Sequence, residues 1–380
     1  MAYGGYQDEI RQQHIMTPLK AAELEEHASR VMSPQLWSYV AGGAGDETTQ
    51  RANIDAFDRW GLIPRMFSGT DVRDLSISLF GMKLQTPIFT APIGVLGLCT
   101  PDGHGDLAAA RTSAATGVPL TLCTFANDAM EDVTPLLGDT PGFFQLYVPN
   151  DRELAASFMK RAESAGCRAI VVTLDQPVTG WRPRDAISGY SPPLHGQCLA
   201  NYTTDPVFRA GLNGASGQNI DAVVKHFLRV FPNRVEISDL VWLRTQTELP
   251  LIVKGICHPD DVRRAKDAGV DGIYCSNHGG RQANGGLPAL DSLPAVVAAA
   301  DGLPVLFDSG VRDGIDVIKA LAMGASAVGV GRPYAYGLAL NQTHGASQVL
   351  RSILAEMDLT MAVDGYPSVG DLNPAALQKI

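Results

Sequence analysis

The stretch GIYCSNHGGRQANGG, residues 272–286, places one histidine and one arginine among five glycines. His278 titrates near neutral pH and can serve as a general base, and Arg281 adds a permanent positive charge. The residues just before them, 272–275, are apolar and resemble the end of a buried strand. The end of a predicted strand thus carries a base and a cation with few bulky side chains around them. This arrangement indicates an active site for a small anion.

Other apolar runs also end in polar side chains. Asp175 is placed at one such end, where it could orient the imidazole of His278 and stabilise its protonated form. A lone histidine, glutamine or threonine is more often structural, but the whole set is hard to explain as packing. The strand-end residues are Gln145, Tyr147, Thr173, Asp175, Lys254, Asn277, His278, Asp308 and Arg332.

Two arginines are candidates for holding a carboxylate. Arg182 follows Asp175 in GWRPRD, and Arg281 follows the candidate base. A guanidinium pairs with a carboxylate through two parallel hydrogen bonds, and Tyr39 and Tyr147 could add phenolic donors. The alternative for each arginine is a surface ion pair. Together with the base, the set predicts proton or hydride removal from a small hydroxy or amino acid.

The elements that must position these residues alternate regularly along the chain. Helical patterns separate short apolar runs that lack an in-and-out alternation, as in parallel strands covered by helices. This order predicts an α/β fold, a (β/α)8 TIM barrel. An open doubly wound sheet is the alternative, but Gly329–Tyr334 breaks the glycine fingerprint that a dinucleotide site needs. The eight runs are 88–94, 120–124, 143–147, 169–175, 251–255, 272–277, 305–310 and 327–332.

We expect one domain over residues 1–380. Its predicted parts are a helical lead-in (1–87), the barrel (88–340) and a C-terminal helical segment (341–380). Residues 176–250, between the fourth and fifth runs, are too long for one crossover and are predicted to contain a lid, although a surface excursion is the alternative. Their Gly-rich centre, 207–220, is expected to close over the mouth of the barrel.

The last two barrel units carry a second ligand signal. DSGVRDG follows the seventh run and GRP follows the eighth. Loops at these positions are the usual phosphate site of the fold, where backbone N–H groups and helix N-termini face the anion. Arg312 and Arg332 add positive charge, and Lys254 could lie beside a negative charge on the same ligand. The sequence therefore predicts a cofactor that carries phosphate.

Composition excludes several classes of function. The formal net charge is −10, without basic runs, which argues against nucleic acid or anionic membrane as a partner. No apolar stretch is long enough to cross a membrane, and MAYGGYQDEIRQQH lacks the apolar core of a secretory signal. The six cysteines form no Cys-x-x-Cys pair and no metal motif is present. We expect a cytoplasmic protein without a metal.

The motifs SNHGGRQ, LIVKG, FFQLY, DSGVR and GRP together resemble the FMN-dependent α-hydroxy-acid oxidase family, and the resemblance spans nearly the whole chain. Within the family, SNHGGRQANGGLPALD, VLFDSG, TQRAN and NYTTDPVF are most similar to members that act as lactate monooxygenases. The resemblance implies FMN as cofactor, a small 2-hydroxy acid and O2 as reactants, and a homotetramer or homo-octamer.

The resemblance also assigns roles. His278 is the expected base, with Asp175 as its partner, and Lys254 is expected to stabilise negative charge on the flavin. The residues expected to bind the substrate are Tyr39, Tyr147, Arg182, His278 and Arg281. The residues expected to contact FMN are Pro92, Ile93, Gly94, Cys123, Gln145, Thr173, Lys254, Ser276, Asp308, Ser309, Gly310, Val311, Arg312, Gly331 and Arg332.

Three positions depart from the family pattern. Cys123 replaces a common hydroxyl residue, Phe125 takes a place often held by tryptophan, and Gly94 replaces a common alanine. The missing methyl group at Gly94 is expected to leave room beside the reactive edge of the flavin. The predicted reaction is L-lactate and O2 to acetate, CO2 and water. The alternatives are an oxidase that releases the 2-oxo acid and H2O2, a phosphate-binding isomerase or synthase barrel, and a non-catalytic binding barrel.

Overall fold

The computed structural model describes residues 17–231 and 234–380. The N-terminal residues 1–16, where the sequence predicts no secretory signal, lie outside the described residues. Among the helices that are described, none is both long and apolar enough to cross a membrane.

Eight parallel strands form a nearly closed barrel, as the sequence predicts. Each strand from the second to the seventh pairs with the next strand along the chain, and the eighth pairs with the first, where Gly329 is opposite Phe89. The first and second strands are joined by a hydrogen bond from Thr90 N to Pro119 O, at 2.9 Å. In chain order the barrel strands are β1 (Ile88–Thr90), β2 (Leu120–Cys123), β3 (Gly142–Leu146), β4 (Ile170–Thr173), β5 (Leu251–Ile256), β6 (Gly272–Cys275), β7 (Val305–Phe307) and β8 (Ala327–Val330).

Several strands end earlier than the apolar runs suggest. Residues 91–94, 174–175, 276–277, 308–310 and 331–332 belong to those runs but lie beyond the ladders. Their backbone has left the sheet to build the face of the barrel at the carboxyl ends of the strands. This is the face where the fold places its chemistry.

The barrel interior is apolar at one end and polar at the other. A short hairpin, Ile77–Leu79 and Met82–Leu84, packs its leucines against Phe89, Phe143 and Ile252 inside the barrel. Nearer the carboxyl ends of the strands, the buried side chains are polar, as at Gln145 and Lys254. The polar residues predicted from the sequence therefore lie at one end of the barrel, above a packed apolar layer.

Helices follow the strands where the sequence patterns predict them. Helix Arg152–Ser164 begins at a capping residue, Asp151, whose side chain accepts hydrogen bonds from the backbone N–H groups of Glu153 and Leu154. Such a cap satisfies amide donors that the first turn of a helix leaves unpaired. The barrel helices are Gly105–Thr116, Met130–Val133, Arg152–Ser164, Ile237–Arg244, Pro259–Asp267, Ala289–Ala300, Gly314–Ala322 and Arg332–Asp364, and 3-10 turns lie at Leu96–Cys99, Thr134–Leu137 and His278–Gly280.

The segments that flank the barrel are only partly helical, because the lead-in also contains the hairpin described above and the strand Trp60–Leu62. The lead-in contains helices Ala21–Val31, Pro34–Ala41 and Thr48–Asp58, and the second of these carries Tyr39. The C-terminal segment, predicted to be helical, instead ends in the 3-10 turns Val369–Asp371 and Pro374–Ala376 and a strand. That strand, Leu377–Lys379, pairs with Trp60–Leu62 in the lead-in, a partner too distant in sequence for a local pattern to reveal.

The insertion between β4 and β5 is largely helical and packed. Phe208, in the segment 207–220 that is expected to close over the barrel mouth, is fully buried against Tyr202 and His226. The residues of the insertion that line the cavities at the mouth come mainly from 176–194. The insertion contains the barrel helix Ile237–Arg244 that precedes β5. Its other helical elements are Pro183–Ser188, Pro192–His195, Ala200–Thr203, Pro206–Ala210 and Ile220–Val230.

Candidate active site

The turn that carries His278 has left-handed backbone at three consecutive residues. The φ angles of His278, Gly279 and Gly280 are 59°, 64° and 76°. A β-carbon on Gly280 would lie 2.7 Å from the backbone of Gln50, and one on Gly279 would lie 3.1 Å from a guanidinium nitrogen of Arg332. The glycines around the histidine are therefore required by the turn and by its close packing.

Two serine hydroxyls hold this turn at the end of β6. Ser276 Oγ accepts a hydrogen bond from the backbone N–H of His278 (3.0 Å), and Ser309 Oγ accepts one from Gly279 (3.1 Å). Ser276 also accepts from Lys254 Nζ at 2.8 Å and donates to Asp308 Oδ1 at 2.5 Å. The histidine backbone, the buried lysine and the aspartate after β7 are thus joined through one hydroxyl group.

His278 and Asp175 form the expected pair, with 2.8 Å between Nδ1 and Oδ1. Burial, together with Lys254 and Arg182, lowers the pKa of His278 against the opposing effect of Asp175, so the neutral imidazole is favoured. For Asp175, burial raises the pKa, but its interactions with the His278 ring and with the positively charged Lys254 outweigh burial, and the net shift is downward. Nδ1–H therefore donates to the carboxylate, and Nε2 remains a free acceptor among the described residues while the ring lines a cavity.

Arg182, Arg281 and Tyr39 converge beside the histidine. The guanidinium carbons of Arg182 and Arg281 lie 5.9 and 5.1 Å from the centre of the Tyr39 ring. Arg182 Nε donates to the backbone carbonyl of Arg281 at 2.9 Å, and Arg281 donates to the carbonyl of Gly42. Burial, Arg182 and Arg332 lower the pKa of Arg281 to about 9. A bound carboxylate would relieve this repulsion, so the arginines form a suitable carboxylate clamp.

An aromatic wall lies on another side of the same cavity. The Phe125 ring centre is 4.9 Å from that of Tyr147 and 5.1 Å from that of Phe231. Burial raises the pKa of Tyr147 well above its usual value, so the phenol remains a hydrogen-bond donor. A β-carbon on Gly94 would lie 3.2 Å from Phe125 Cβ. Phe231 belongs to the insertion, and no motif in the sequence indicated that it reaches the site.

Three residues predicted to contact a cofactor form a buried chain that does not line the cavity. Cys123 Sγ donates to Gln145 Oε1, and Gln145 Nε2 donates to Thr173 Oγ1, both at 2.9 Å. Burial raises the pKa of the Cys123 thiol to about 12, so it remains a donor. The thiol can thus replace a hydroxyl group in this chain, which orients the Gln145 amide.

The loops after β7 and β8 form the opposite end of the cavity. Ser309 and Gly310 have φ angles of 92° and 93°, and a β-carbon on Gly310 would lie 2.2 Å from Asn53 O. Arg312 lines the cavity from this turn. Asp308, just before the turn, also accepts a hydrogen bond from the Tyr274 hydroxyl at 2.9 Å. The tight turn brings backbone and arginine side chain to the cavity wall.

Arg332, which begins the helix after β8, has only uncharged partners among the described residues. Its guanidinium donates to the carbonyls of Val40 (3.2 Å), Gly42 (3.1 Å) and Gly279 (3.3 Å), and to Gln50 Oε1 at a shorter distance. Burial lowers its pKa to about 10. A half-buried cation without a carboxylate partner favours an anionic ligand.

The whole cavity contains about 870 Å³ of empty space, part of it open to solvent. Five cationic side chains and one carboxylate line it, in a chain whose formal net charge is −10. Such a local excess of positive charge is suited to a ligand with more than one anionic group. The predicted residues that line the cavity are Tyr39, Pro92, Ile93, Gly94, Tyr147, Arg182, Lys254, His278, Arg281, Asp308, Ser309, Gly310, Val311, Arg312, Gly331 and Arg332.

The sequence pattern of FMN-dependent dehydrogenases matches residues 28–379. This chain belongs to that family. It is 40% identical over 362 residues to an FMN-dependent alpha-hydroxy acid dehydrogenase of Penicillium citrinum, covering 94% of this chain and 90% of that protein. It is 38% identical over 364 residues to the L-lactate oxidase of Lysinibacillus sphaericus, covering 95% and 93%. A solved structure of mandelate oxidase with (S)-4-hydroxymandelic acid is similar, with 37% identity, a TM-score of 0.83 and coverage of 95% and 98%.

The cavity fits the cofactor of this FMN-dependent family. The half-buried guanidinium of Arg332, which has no carboxylate partner among the described residues, and the loop of Arg312 suit the phosphate. Lys254 and the clamp of Arg182 and Arg281 line the same cavity, which can therefore receive a flavin and an acid together. FMN supplies the capacity to accept the electrons of the oxidised substrate. The chain is thus a flavin-dependent α-hydroxy-acid oxidoreductase.

A second cavity, of about 1250 Å³ of empty space, adjoins the first. The two share Tyr39, Phe125, Gln176 and Arg182, and the second is bounded mainly by residues of the insertion. Its wall is largely apolar, with Trp181, 74% exposed, at its rim. Of these residues, Gln176 and Trp181 were not predicted from the sequence, because nothing local distinguishes them from ordinary loop residues.

Proposed function

We propose that the enzyme oxidises L-lactate with O2 to acetate, CO2 and water, as a lactate 2-monooxygenase. The observation that carries this proposal is the enclosed carboxylate clamp. Arg182, Arg281 and Tyr39 converge beside His278, and Phe125 and Tyr147 form an aromatic wall of the same cavity, against which a small apolar side chain can pack.

The residues of the chain have separate tasks in the oxidation. The two arginines bind the substrate carboxylate and fix the position of the α-carbon. Nε2 of His278 accepts the proton that leaves the substrate, either from the hydroxyl group or from the α-carbon. Asp175 then stabilises the imidazolium through the 2.8 Å hydrogen bond to Nδ1. Lys254, buried to 2% exposure, supplies a fixed positive charge near the flavin.

The decarboxylating outcome requires that the 2-oxo acid and peroxide stay together after the oxidation. The clamp holds the carboxylate of the oxo acid as it held that of the substrate. Residues 176–194 line the cavity next to the aromatic wall, and Gly94 lines the active-site cavity without a side chain. Peroxide can then attack the carbonyl carbon of the bound oxo acid before either product leaves. The C–C bond to the carboxylate breaks with loss of CO2, the O–O bond breaks with loss of water, and acetate remains.

An oxidase that releases a larger 2-oxo acid and H2O2 is the second candidate. The apolar cavity next to the clamp favours it, since an aryl or branched side chain could extend past Phe125 towards Leu194 and Phe231. The relatives described above include proteins named for lactate and for mandelate oxidation.

The two candidates differ in their products. The purified enzyme, loaded with FMN, is incubated with L-lactate under air, and acetate, pyruvate and H2O2 are measured together. The monooxygenase predicts one acetate for each O2 consumed, with no free peroxide. Free pyruvate and peroxide would instead establish an oxidase. Faster flavin reduction by (S)-mandelate than by L-lactate would show that the second cavity receives the substrate side chain.

A further inference from the structure

Two cysteine thiols are neighbours behind the active site, outside the cavity. Cys275 is the last residue of β6 and pairs with Ile256 of β5, and Cys257 is the next residue after Ile256. Each thiol shifts the pKa of the other, as neighbouring groups do. Cys257 Sγ donates to the carbonyl of Ser276 at 3.2 Å, and Cys275 Sγ donates to that of Ala289 at 3.6 Å. Two cysteines at adjacent positions on the ends of neighbouring strands can form a disulfide.

The two cysteines differ in reactivity. Cys257 is partly exposed, whereas Cys275 is fully buried. The interaction between the thiols lowers the pKa of Cys257, and the same interaction, with burial, raises that of Cys275. The thiolate is the form that reacts with oxidants, so Cys257 is the thiol that reacts first. By contrast, burial raises the pKa of Cys167 to about 12.

We propose that Cys257 and Cys275 form a peroxide-sensitive dithiol that is oxidised to a disulfide. The Cys257 thiolate attacks one oxygen of H2O2, the O–O bond breaks, and sulfur is oxidised to a sulfenic acid while the other oxygen leaves as water. The Cys275 sulfur then attacks the Cys257 sulfur. An S–S bond forms, the S–O bond breaks, and a second water leaves. In total, two thiols and one H2O2 give one disulfide and two waters.

The oxidant rests on the proposed function, since both candidate reactions generate peroxide in the active-site cavity. The consequence for activity follows from the position of Ser276, the residue after Cys275. Its hydroxyl group holds Lys254 Nζ at 2.8 Å and the backbone N–H of His278 at 3.0 Å. A new bond at Cys275 shifts the end of β6, so flavin reduction should slow when the disulfide forms.

The test adds H2O2 to the FMN-loaded enzyme in the absence of substrate, so it does not depend on which reaction the enzyme catalyses. After alkylation under denaturing conditions, the intact mass of the peroxide-treated enzyme should show two fewer alkylated thiols than that of the untreated enzyme. Peptide mapping should show a disulfide between residues 257 and 275. The rate of flavin reduction by L-lactate under anaerobic conditions should fall, and dithiothreitol should restore both mass and rate.

Two variants make the result decisive. Cys257→Ser keeps a hydroxyl donor towards Ser276 O and should retain its flavin reduction rate after peroxide treatment. Cys167→Ser, the control, should respond as the unmodified enzyme does. Stepwise addition of oxygen to Cys257 without the cross-link would overturn the proposal, as would a cross-link that involves another cysteine. If L-lactate fails to reduce the flavin but the disulfide still forms, the proposed function fails and the dithiol stands.

Discussion

Gln282 joins Arg182 to the loop that carries Asp175. Its Oε1 accepts a hydrogen bond from Arg182 Nη2 at 2.6 Å, and its Nε2 donates to the carbonyls of Asp175 (2.8 Å) and Val178 (3.1 Å). Gln282 directly follows Arg281, so one residue fixes the distance between the two arginines of the clamp. It contacts neither the cofactor cavity nor the position of the substrate, and it acts by positioning Arg182.

We expect Gln282→Met to weaken substrate binding more than it slows the chemistry. Methionine fills a similar volume but makes none of these hydrogen bonds. Losing a hydrogen bond to a charged group costs about 1.5–3 kcal/mol, so KM for L-lactate should rise on the order of tenfold or more. The His278–Asp175 pair remains, so kcat should fall less than KM rises. Steady-state kinetics measures both values.

The control for this variant is Gln218→Met, because Gln218 is exposed and its side chain makes no hydrogen bond to another described residue. It should leave kcat and KM unchanged. A general loss of stability in Gln282→Met would lower FMN content and kcat together, and this pattern would contradict a positioning role. If Gln282→Met and Gln218→Met have equal KM values, the hydrogen bond from Arg182 to the carbonyl of Arg281 is sufficient to position Arg182.

Removing the base should separate catalysis from cofactor binding. His278→Gln is expected to retain FMN, because the phosphate end of the cavity is unchanged. The rate of flavin reduction should fall roughly 10²–10⁴-fold, the usual loss for a general base. His104→Gln is a matched control, since His104 Nδ1 also lies 2.7 Å from an aspartate, Asp128, but its side chain is 57% exposed. Near-normal reduction in His278→Gln would remove His278 from its assigned role.

The pH dependence follows from the direction of the His278 shift. Burial lowers its pKa from the usual 6.5, and Lys254 and Arg182 add to this effect against Asp175. The base is active when neutral, so kcat/KM should rise as pH increases through the lowered pKa and should be level above it. We expect a midpoint below 6.5 in the free enzyme. Anaerobic flavin reduction at low L-lactate between pH 5 and 8 measures it, and a midpoint above 7 would show that Asp175 dominates.

Much of the fold and half of the site follow from local sequence. Continuous apolar runs with polar ends are typical of buried parallel strands, so all eight strands were predictable, and with them His278, Asp175 and Lys254 at their carboxyl ends. The carboxylate-binding role of the two arginines was predicted from the chemistry of the guanidinium group and agrees with the family resemblance, and both arginines line one cavity. Short segments of sequence indicate where each strand ends, and the topology of the barrel brings those strand ends together on one face.

Other features depend on contacts between distant parts of the chain. Gln282 contacts Arg182 and Asp175, which precede it by 100 and 107 residues. Phe231 reaches the aromatic wall only because helix Ile220–Val230 packs against the barrel. The Gly-rich composition of residues 207–220 suggested an open loop, but Phe208 anchors that segment in the core. A Gly-rich composition indicates that the backbone of a segment can be flexible, but it does not show which apolar side chain of that segment packs into the core.

Gly94→Ala tests what separates the monooxygenase from an oxidase. Both outcomes share the oxidation of the substrate, so they differ in whether the oxo acid and peroxide remain together in the cavity. The β-carbon of an alanine at position 94 would lie 3.2 Å from Phe125 Cβ and 3.5 Å from Cys123 Sγ. Gly94 has no left-handed φ angle, so alanine is compatible with the backbone, but its methyl group takes space beside Phe125.

We therefore expect Gly94→Ala to reduce the flavin at a rate close to that of the unmodified enzyme while releasing more free pyruvate and H2O2 in place of acetate. The methyl group leaves the clamp of Arg182 and Arg281 unchanged, so substrate binding should be nearly unaffected, but it presses on Phe125, whose side chain lines the cavity where peroxide would stay beside the bound oxo acid. Gly286→Ala is the control, because a β-carbon there has no neighbour within 4 Å. Product analysis with L-lactate under air measures the partition, and an unchanged yield of acetate alone would mean that retention depends on residues 176–194 instead.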